Sequence, residues 1–497
     1  MNGKLAGGII VFAVVAWGQT PCDQIRSLAF PDTVITAAEV VAAGLYKPPS
    51  AQPGQEPPTF NLPARCRVAA TLRPSSDSEV SIEVWMPASD WNGKFQAVGN
   101  GGWAGVISYQ AMALAIHEGY ATASTDTGHQ GGTASFALGH PEKVTDFSYR
   151  AVHEMTVKAK AMLTSYYGRA PRLSYWNGCS TGGRQGLMEA QKYPEDFDGI
   201  IAGAPANYQT HLHAWSVAVA VATLKDNASY LKPADLALVN RAVLAACDAA
   251  DGVKDGLLND PRQCHFDPSA LLCATNTSEN CLTASQVEAV EKIYAPVKTQ
   301  NGTLIFPSMQ PGSELGWGIL AGGTEPSATA MGTFAYLVYK NPKWDWHNFD
   351  AERDTALADS TDIINATKPD LSAFQTRGGK LLMYHGWNDQ LIAPENSINY
   401  YSSVLEHMGP NQGNWYRLFM APGMQHCRGG PGPDQFNVIG IIERWRESNI
   451  APDQILAVHT AGNRVDMTRP LCPYPQIAQW KGTGSTNDAA NFSCKNP

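Results

Sequence analysis

Leu173-Ser174-Tyr175-Trp176-Asn177-Gly178-Cys179-Ser180-Thr181-Gly182-Gly183-Arg184 is the stretch from which the rest of the chain can be read. It starts as a short apolar strand. It then passes through a glycine-punctuated turn, and a helix follows from about Arg184 to Lys192. The turn contains Gly178-Cys179-Ser180-Thr181-Gly182, a G-x-S-x-G pattern. In a hydrolase built on a parallel sheet, a serine on such a strand-to-helix turn has its hydroxyl exposed at the top of the sheet. The bland reading is an ordinary glycine-rich turn.

The surroundings repeat the same rhythm. Ser81–Met86 alternates like a strand, Phe95–Val98 and Tyr120–Thr125 are further strands, and Phe147–Tyr167 reads as an amphipathic helix. Gly199–Ala202, Lys380–His385 and Trp415–Met420 continue the strands, and Phe436–Glu447 is a closing helix. Strand, turn and helix in alternation imply a parallel sheet covered on both faces. The rhythm stops between about Asn207 and Thr367, in a segment rich in Gly, Trp, Asp and Cys. The expected architecture is therefore an α/β-hydrolase fold with a large inserted lid domain. Residues 19–206 and 368–497 form its two parts and 207–367 the lid. Pro- and Gln-rich residues 47–58 read as a loop.

A serine hydroxyl needs a base, and the base needs an orienting group. In this fold the acid follows the serine and the histidine comes last. Asp389, in His385-Gly386-Trp387-Asn388-Asp389, lies just past an apolar strand, where a turn-forming Asp would also fit. His426 follows the strand Trp415–Met420 across a Pro-Gly loop. Among twelve histidines, His129 and His385 are the rivals, but each breaks the serine–acid–histidine order or sits inside a strand. An oxyanion needs two backbone N–H donors. Thr181 supplies one by position. Gly101 or Gly102, in Gly99-Asn100-Gly101-Gly102, supplies the other unless that stretch is a plain hairpin turn.

Bulk properties bound the setting. The 497 residues carry a net charge of −9 without long runs of one sign, so neither nucleic acid nor an anionic membrane surface is an expected partner. Lys4 followed by the apolar run Leu5–Trp17 reads as an export signal over residues 1–18, with Ala16-Trp17-Gly18 as the cleavage site. A buried N-terminal helix is the alternative. Secretion or periplasmic location is the expectation, and ten cysteines with no C-x-x-C pair suit disulfides. Local proximity suggests Cys247–Cys264, Cys273–Cys281 and Cys472–Cys494. Cys22 with Cys66 and Cys179 with Cys427 would use up the rest, although sequence alone does not fix connectivity.

Four pieces together resemble the tannase and feruloyl esterase family of secreted α/β-hydrolases, which includes enzymes acting on mono(2-hydroxyethyl) terephthalate. They are Asn177–Arg184, Gly199–Ala206, His385–Asp389 and His426-Cys427. The resemblance implies a triad of Ser180, Asp389 and His426, with a disulfide joining Cys179 to Cys427. It also implies a lid that closes over an aromatic acyl group.

Within the insertion, Cys247–Leu257 places three carboxylates on a glycine-punctuated loop. Crowded carboxylates suit a hard cation such as calcium, though the spacing is not that of an EF-hand. The resemblance implies structural calcium held by the Asp248, Asp251 and Asp255 side chains and the Val253 and Leu257 carbonyls. A solvated acidic turn is the other reading. Trp317, Phe334, Tyr336, Tyr339, Trp344 and Trp346 offer aromatic walls or lid core. The terephthalate enzymes of the family use a lid arginine for the free carboxylate. Here the lid contains only Arg241, Arg262 and Arg353, none placed in that role, which favours phenolic acyl groups. The expected function is hydrolysis of small feruloyl- or galloyl-type esters. A terephthalate-monoester hydrolase and a non-catalytic binding protein on the same scaffold are the alternatives. Oligomeric state is not legible in the sequence.

Overall fold

The computed structural model describes residues 19–49, 56–274, 280–319, 325–360 and 363–497. Residues 1–18, read above as an export signal, lie outside the described residues, as do residues 50–55 of the Pro-rich loop. The strands are β1 (Thr33–Val41), β2 (Arg65–Leu72), β3 (Val80–Pro87), β4 (Lys94–Val98), β5 (Ala121–Thr125), β6 (Leu173–Cys179), β7 (Gly199–Gly203), β8 (Lys380–Gly386) and β9 (Tyr416–Ala421). They form one nine-stranded sheet in the order β1-β2-β3-β5-β4-β6-β7-β8-β9. Pairing is antiparallel from β1 through β3 to β5 and parallel from β5 onward. The inversion of β4 and β5 and the parallel run after it make this the α/β-hydrolase fold.

Side chains alternate across the sheet, so each strand feeds two cores. Val84 and Met86 pack with Met155 and Met162 on one face. Trp85, between them, packs with Met112 and Ile116 on the other. Trp176 and Ile200 join the first face, whereas Tyr175 and Ile201 join Ile442 and Trp445. Strands buried on both faces read as continuous apolar runs, which is why β7 and β8 are visible in sequence.

The helices are α1 (Tyr109–His117), α2 (Ala151–Tyr167), α3 (Thr181–Lys192), α4 (Gln209–Thr223), α5 (Pro233–Cys247), α6 (Ala284–Tyr294), α7 (Ala351–Ser360), α8 (Glu395–Met408) and α9 (Val438–Ser448). Two boundaries differ from the sequence reading. Regular helix begins at Ala151, after a π-helical turn over Asp146–Arg150. Helix α3 begins at Thr181, three residues early, because its glycines sit against neighbouring backbone rather than breaking the helix.

Residues 207–367 contain α4 to α7 and a short hairpin, Val297–Lys298 with Leu304–Phe306. They share a separate apolar cluster that includes Trp215, Val239, Val290, Phe306 and Phe334. Ile392 and Ala393, from the chain just after β8, belong to the same cluster. Five disulfides are present: Cys22–Cys66, Cys179–Cys427, Cys247–Cys264, Cys273–Cys281 and Cys472–Cys494. Among the described residues, no helix is long and apolar enough to cross a membrane.

Candidate active site

Ser180 sits between β6 and α3 with φ 64° and ψ −124°. A non-glycine residue in that region is strained, at a cost of roughly 1–3 kcal/mol. The turn is held because Ser180 N–H donates to Gly203 O at 2.9 Å, while Ser180 O accepts from Arg184 N–H and Ala206 N–H, each at 3.1 Å. The close approach also demands glycine. A Cβ on Gly178 would lie 2.5 Å from the Gly182 carbonyl, and one on Gly183 2.5 Å from Gly203 O.

Asp389 lies on the loop after β8, wholly buried. Its Oδ1 accepts from Leu391 N–H at 2.8 Å and Ile392 N–H at 2.9 Å. Its Oδ2 lies 2.7 Å from His426 Nδ1 and 3.0 Å from His385 Nε2. Burial alone would raise this carboxyl. His426 beside it and the two histidine hydrogen bonds outweigh burial and hold it well below the usual carboxylate range. His426 follows β9 and keeps a partly open side chain, and its N–H donates to Gln390 Oε1 at 3.2 Å. Cys427, in the left-handed region with φ 65°, is bonded to Cys179, with Cα atoms 6.0 Å apart. Residues 180 and 426 are thereby tethered through their chain neighbours. Among the described contacts no hydrogen bond joins the Ser180 hydroxyl to His426. Such bonds often tighten only when substrate is bound.

The Gly99–Gly102 loop lies against the start of α3. Thr181 Oγ1 donates to Gly102 O at 2.9 Å. A Cβ on either Gly101 or Gly102 would meet nothing within 4 Å, so the loop faces open space there. Sequence reasoning missed what fixes this loop. Gln185 Oε1 accepts from Asn100 N–H, and Gln185 Nε2 donates to Asn100 Oδ1, both at 3.1 Å. Asn100 Nδ2 in turn donates to Val106 O and Thr125 O.

The rival histidines have other places. His129 Nε2 is 2.7 Å from Trp103 O, its ring stacks on Phe136, and burial pushes it down. Burial pushes His213 down to about 3. His385 is wholly buried, between Asp389 Oδ2 and Ser397 Oγ. Most aromatics of residues 207–367 belong to the segment's apolar cluster: Phe334, Tyr339, Trp344 and Phe349 pack on one another, and Trp317 packs on Tyr294. Trp346 stacks on exposed His347. Tyr336 differs, because it packs in a cluster with Trp103, the residue next to Gly102, and with Phe147. Arg262 is bound to Asp260 and Arg353 to Asp354.

The acidic loop of the insertion has the chemistry of a hard-cation site. Asp248 is 6% exposed, and its Oδ1 accepts from Asp255 N–H and Gly256 N–H. Asp251 accepts from Val253 N–H and Asn259 N–H, and burial pushes its carboxyl up. Asp255 pairs with buried Arg469 at 2.6 Å. Buried Arg469 thus answers Asp255 and, more weakly, Asp251, and the buried Asn259 Oδ1 on the same loop has no hydrogen-bond partner. Carboxylate and carbonyl oxygens are donors of the kind calcium takes. Among the described residues, the trio already gathered within 4.8 Å is instead His153, Glu189 and Asp196. That cluster brings its own cation: the Lys160 ammonium donates to Asp196 O.

Comparison with known proteins places this geometry in a lineage. The family model described as tannase and feruloyl esterase matches residues 66–495. A protein named uncharacterized esterase from Xanthomonas campestris pv. campestris is 37% identical over 95% of this chain and 91% of its own. A probable feruloyl esterase B-2 from Neosartorya fischeri is 37% identical over 86% of each chain. The crystal structure of feruloyl esterase B from Aspergillus oryzae superposes with a TM-score of 0.90 at 33% identity, covering 95% of this chain and 99% of that one.

Proposed function

The chain belongs to the tannase and feruloyl esterase family, which makes it a carboxylic ester hydrolase, and from that premise we propose that it is a secreted serine esterase cleaving esters of aromatic carboxylic acids. The observation that carries the reading is the 2.7 Å contact of Asp389 with His426, tethered by Cys179–Cys427 to a strained strand-to-helix turn bearing Ser180.

In this mechanism Ser180 Oγ attacks the ester carbonyl while His426 Nε2 takes its proton. Asp389 holds the His426 ring through Nδ1–H and stabilises the imidazolium. The Thr181 N–H and that of Gly101 or Gly102 receive the developing oxyanion. His426 returns the proton to the leaving alcohol. Water then repeats the sequence on the acyl-enzyme and frees the acid.

The inserted segment acts as the lid. Trp103 Nε1 donates to Thr329 O, and Asn388 Nδ2 donates to Gly312 O, so it rests on the loops beside Gly102 and Asp389. Tyr336, half-buried against the buried Trp103, supplies aromatic surface for a planar acyl group. Asp248, Asp251 and Asp255, with the Val253 and Leu257 carbonyls, would hold calcium, whose contribution is to neutralise and fix the lid loop. Export rests on the signal pattern of residues 1–18, and the five disulfides suit an oxidising compartment. Arg262 and Arg353 are committed to neighbouring aspartates and Arg241 is exposed on α5, so no lid arginine is placed for a free carboxylate, which favours feruloyl or galloyl groups over a terephthalate monoester.

Turnover of methyl ferulate, methyl gallate and mono(2-hydroxyethyl) terephthalate under one set of conditions tests the assignment. The first or second is expected to be hydrolysed fastest. Preference for the terephthalate ester would replace the substrate reading, and no turnover of any would remove the catalytic one.

A further inference from the structure

One oxygen of Asp389 is shared by two histidines, and only one of them faces the open side of the site. The other, His385, is wholly buried near the end of β8. Its Nε2 faces two acceptors, Asp389 Oδ2 at 3.0 Å and Ile392 O at 3.1 Å. An ionised carboxylate and a carbonyl cannot donate, so Nε2 carries the hydrogen. Its Nδ1 lies 2.7 Å from Ser397 Oγ, a buried hydroxyl on α8 that is free to donate. Both ring nitrogens are therefore satisfied by the neutral Nε2–H tautomer.

We propose that His385, fixed in this tautomer by Ser397, is a positioning residue that aims the Asp389 carboxylate at His426. The proposal rests on the triad reading of Ser180, Asp389 and His426. With His385 in place, Asp389 receives four donors: the N–H groups of Leu391 and Ile392 on Oδ1, and both histidines on Oδ2. The carboxylate plane is then set from both ends. Without His385, Oδ2 is held by His426 alone, and the carboxylate and the ring it orients can turn together.

Electrostatics adds a second effect with a definite sign. A donor on Oδ2 drains charge from the carboxylate. Removing it leaves Asp389 more negative toward His426, which favours the imidazolium. The base then needs a higher pH to become neutral. His426 and His385 are the titratable groups that act on Asp389. Glu395, on the same helix as Ser397, answers to Arg262 and Asp260 instead.

The test is a set of pH–rate profiles with a chromogenic aryl ester for the parent, His385→Leu, His385→Gln and Ser397→Ala, with His426→Ala as the control on the triad. Displacement of a catalytic group by about 1 Å costs roughly a hundredfold, so His385→Leu is expected to lose about ten- to a hundredfold in kcat. Its KM should stay within about twofold, because substrate contacts are untouched. The acid limb of kcat/KM should move to higher pH. In His385→Gln the amide nitrogen can replace Nε2–H, so most of kcat and the original limb should return. Ser397→Ala should shift the limb in the same direction by a smaller amount, which keeps the test alive if the Leu variant fails to fold. Unchanged kcat and limb in His385→Leu or Ser397→Ala would overturn the proposal. So would a loss that Gln does not rescue and that follows melting temperature without a limb shift. If instead His426→Ala retains activity, the triad reading is what fails.

Discussion

Cys179 is bonded to Cys427 across 248 residues of chain, and each is the immediate neighbour of a residue assigned to the chemistry, Ser180 and His426. The bond therefore joins the turn after β6 to the loop after β9 without relying on the packing between them.

Loss of this bridge should harm catalysis beyond its effect on stability. Removing a native disulfide typically costs about 2–5 kcal/mol, and a base misplaced by about 1 Å costs roughly a hundredfold. The paired variant Cys179→Ser/Cys427→Ser should thus lose far more kcat than Cys273→Ser/Cys281→Ser, when both are assayed well below their melting temperatures. Equal losses in the two variants would reduce the bridge to a plain staple.

Glu189, on α3, gives a pH prediction. Burial first, and then neighbouring Asp196, push its carboxyl well above the usual range, and both its oxygens are buried without a hydrogen-bond partner. A carboxyl raised in the folded state contributes stability below its unfolded value, about 4.3. That contribution is lost as pH climbs through the folded value. Glu189→Gln keeps the neutral form throughout. The variant should melt above the parent near about pH 8, with the gap closing toward about pH 4. A Gln variant that melts below the parent at the higher pH would mean that Glu189 is ionised and paired with Lys160.

On the proposed calcium reading, an ion bound only by the folded insertion stabilises it by mass action. Chelation is expected to lower the melting temperature and raise KM before it lowers kcat, because the acidic loop supplies no group to acyl transfer. Asp251→Asn should reproduce the effect in part. Purified protein with no bound calcium by elemental analysis, and no thermal shift on adding it, would remove calcium from the account.

The sequence was most legible where chemistry restricts residue choice. The Ser180 turn announces itself because Gly178 and Gly183 admit no Cβ and Gly182 has little room for one. The core strands β6 to β9 show as apolar runs because both faces are buried. The edge strand β1 went unread, since most of its residues are exposed or half-exposed and its pattern is diluted. The inserted helices were hidden by Gly-, Asp- and Cys-rich connections, although α4 and α5 are each 15 residues long. His385 was set aside because it lies within a strand. Its role depends on β8 ending so that residues 385 and 389 face each other, and only the fold supplies that. The five disulfides follow the local spacings and the resemblance, yet no rule of spacing alone joins residues 179 and 427.

The central claim is that Ser180 carries the acyl group and that His426 activates it. The most direct measurement is to react the protein with an aryl phosphonate, which stalls at the covalent stage, and to locate the adduct by peptide mass spectrometry. One adduct on Ser180 is expected, formed with loss of all esterase activity. It should be absent in Ser180→Ala and form several orders of magnitude more slowly in His426→Ala, since triad members act as a unit. An adduct on another residue, or aryl-ester turnover by Ser180→Ala at near the parental rate, would contradict the account.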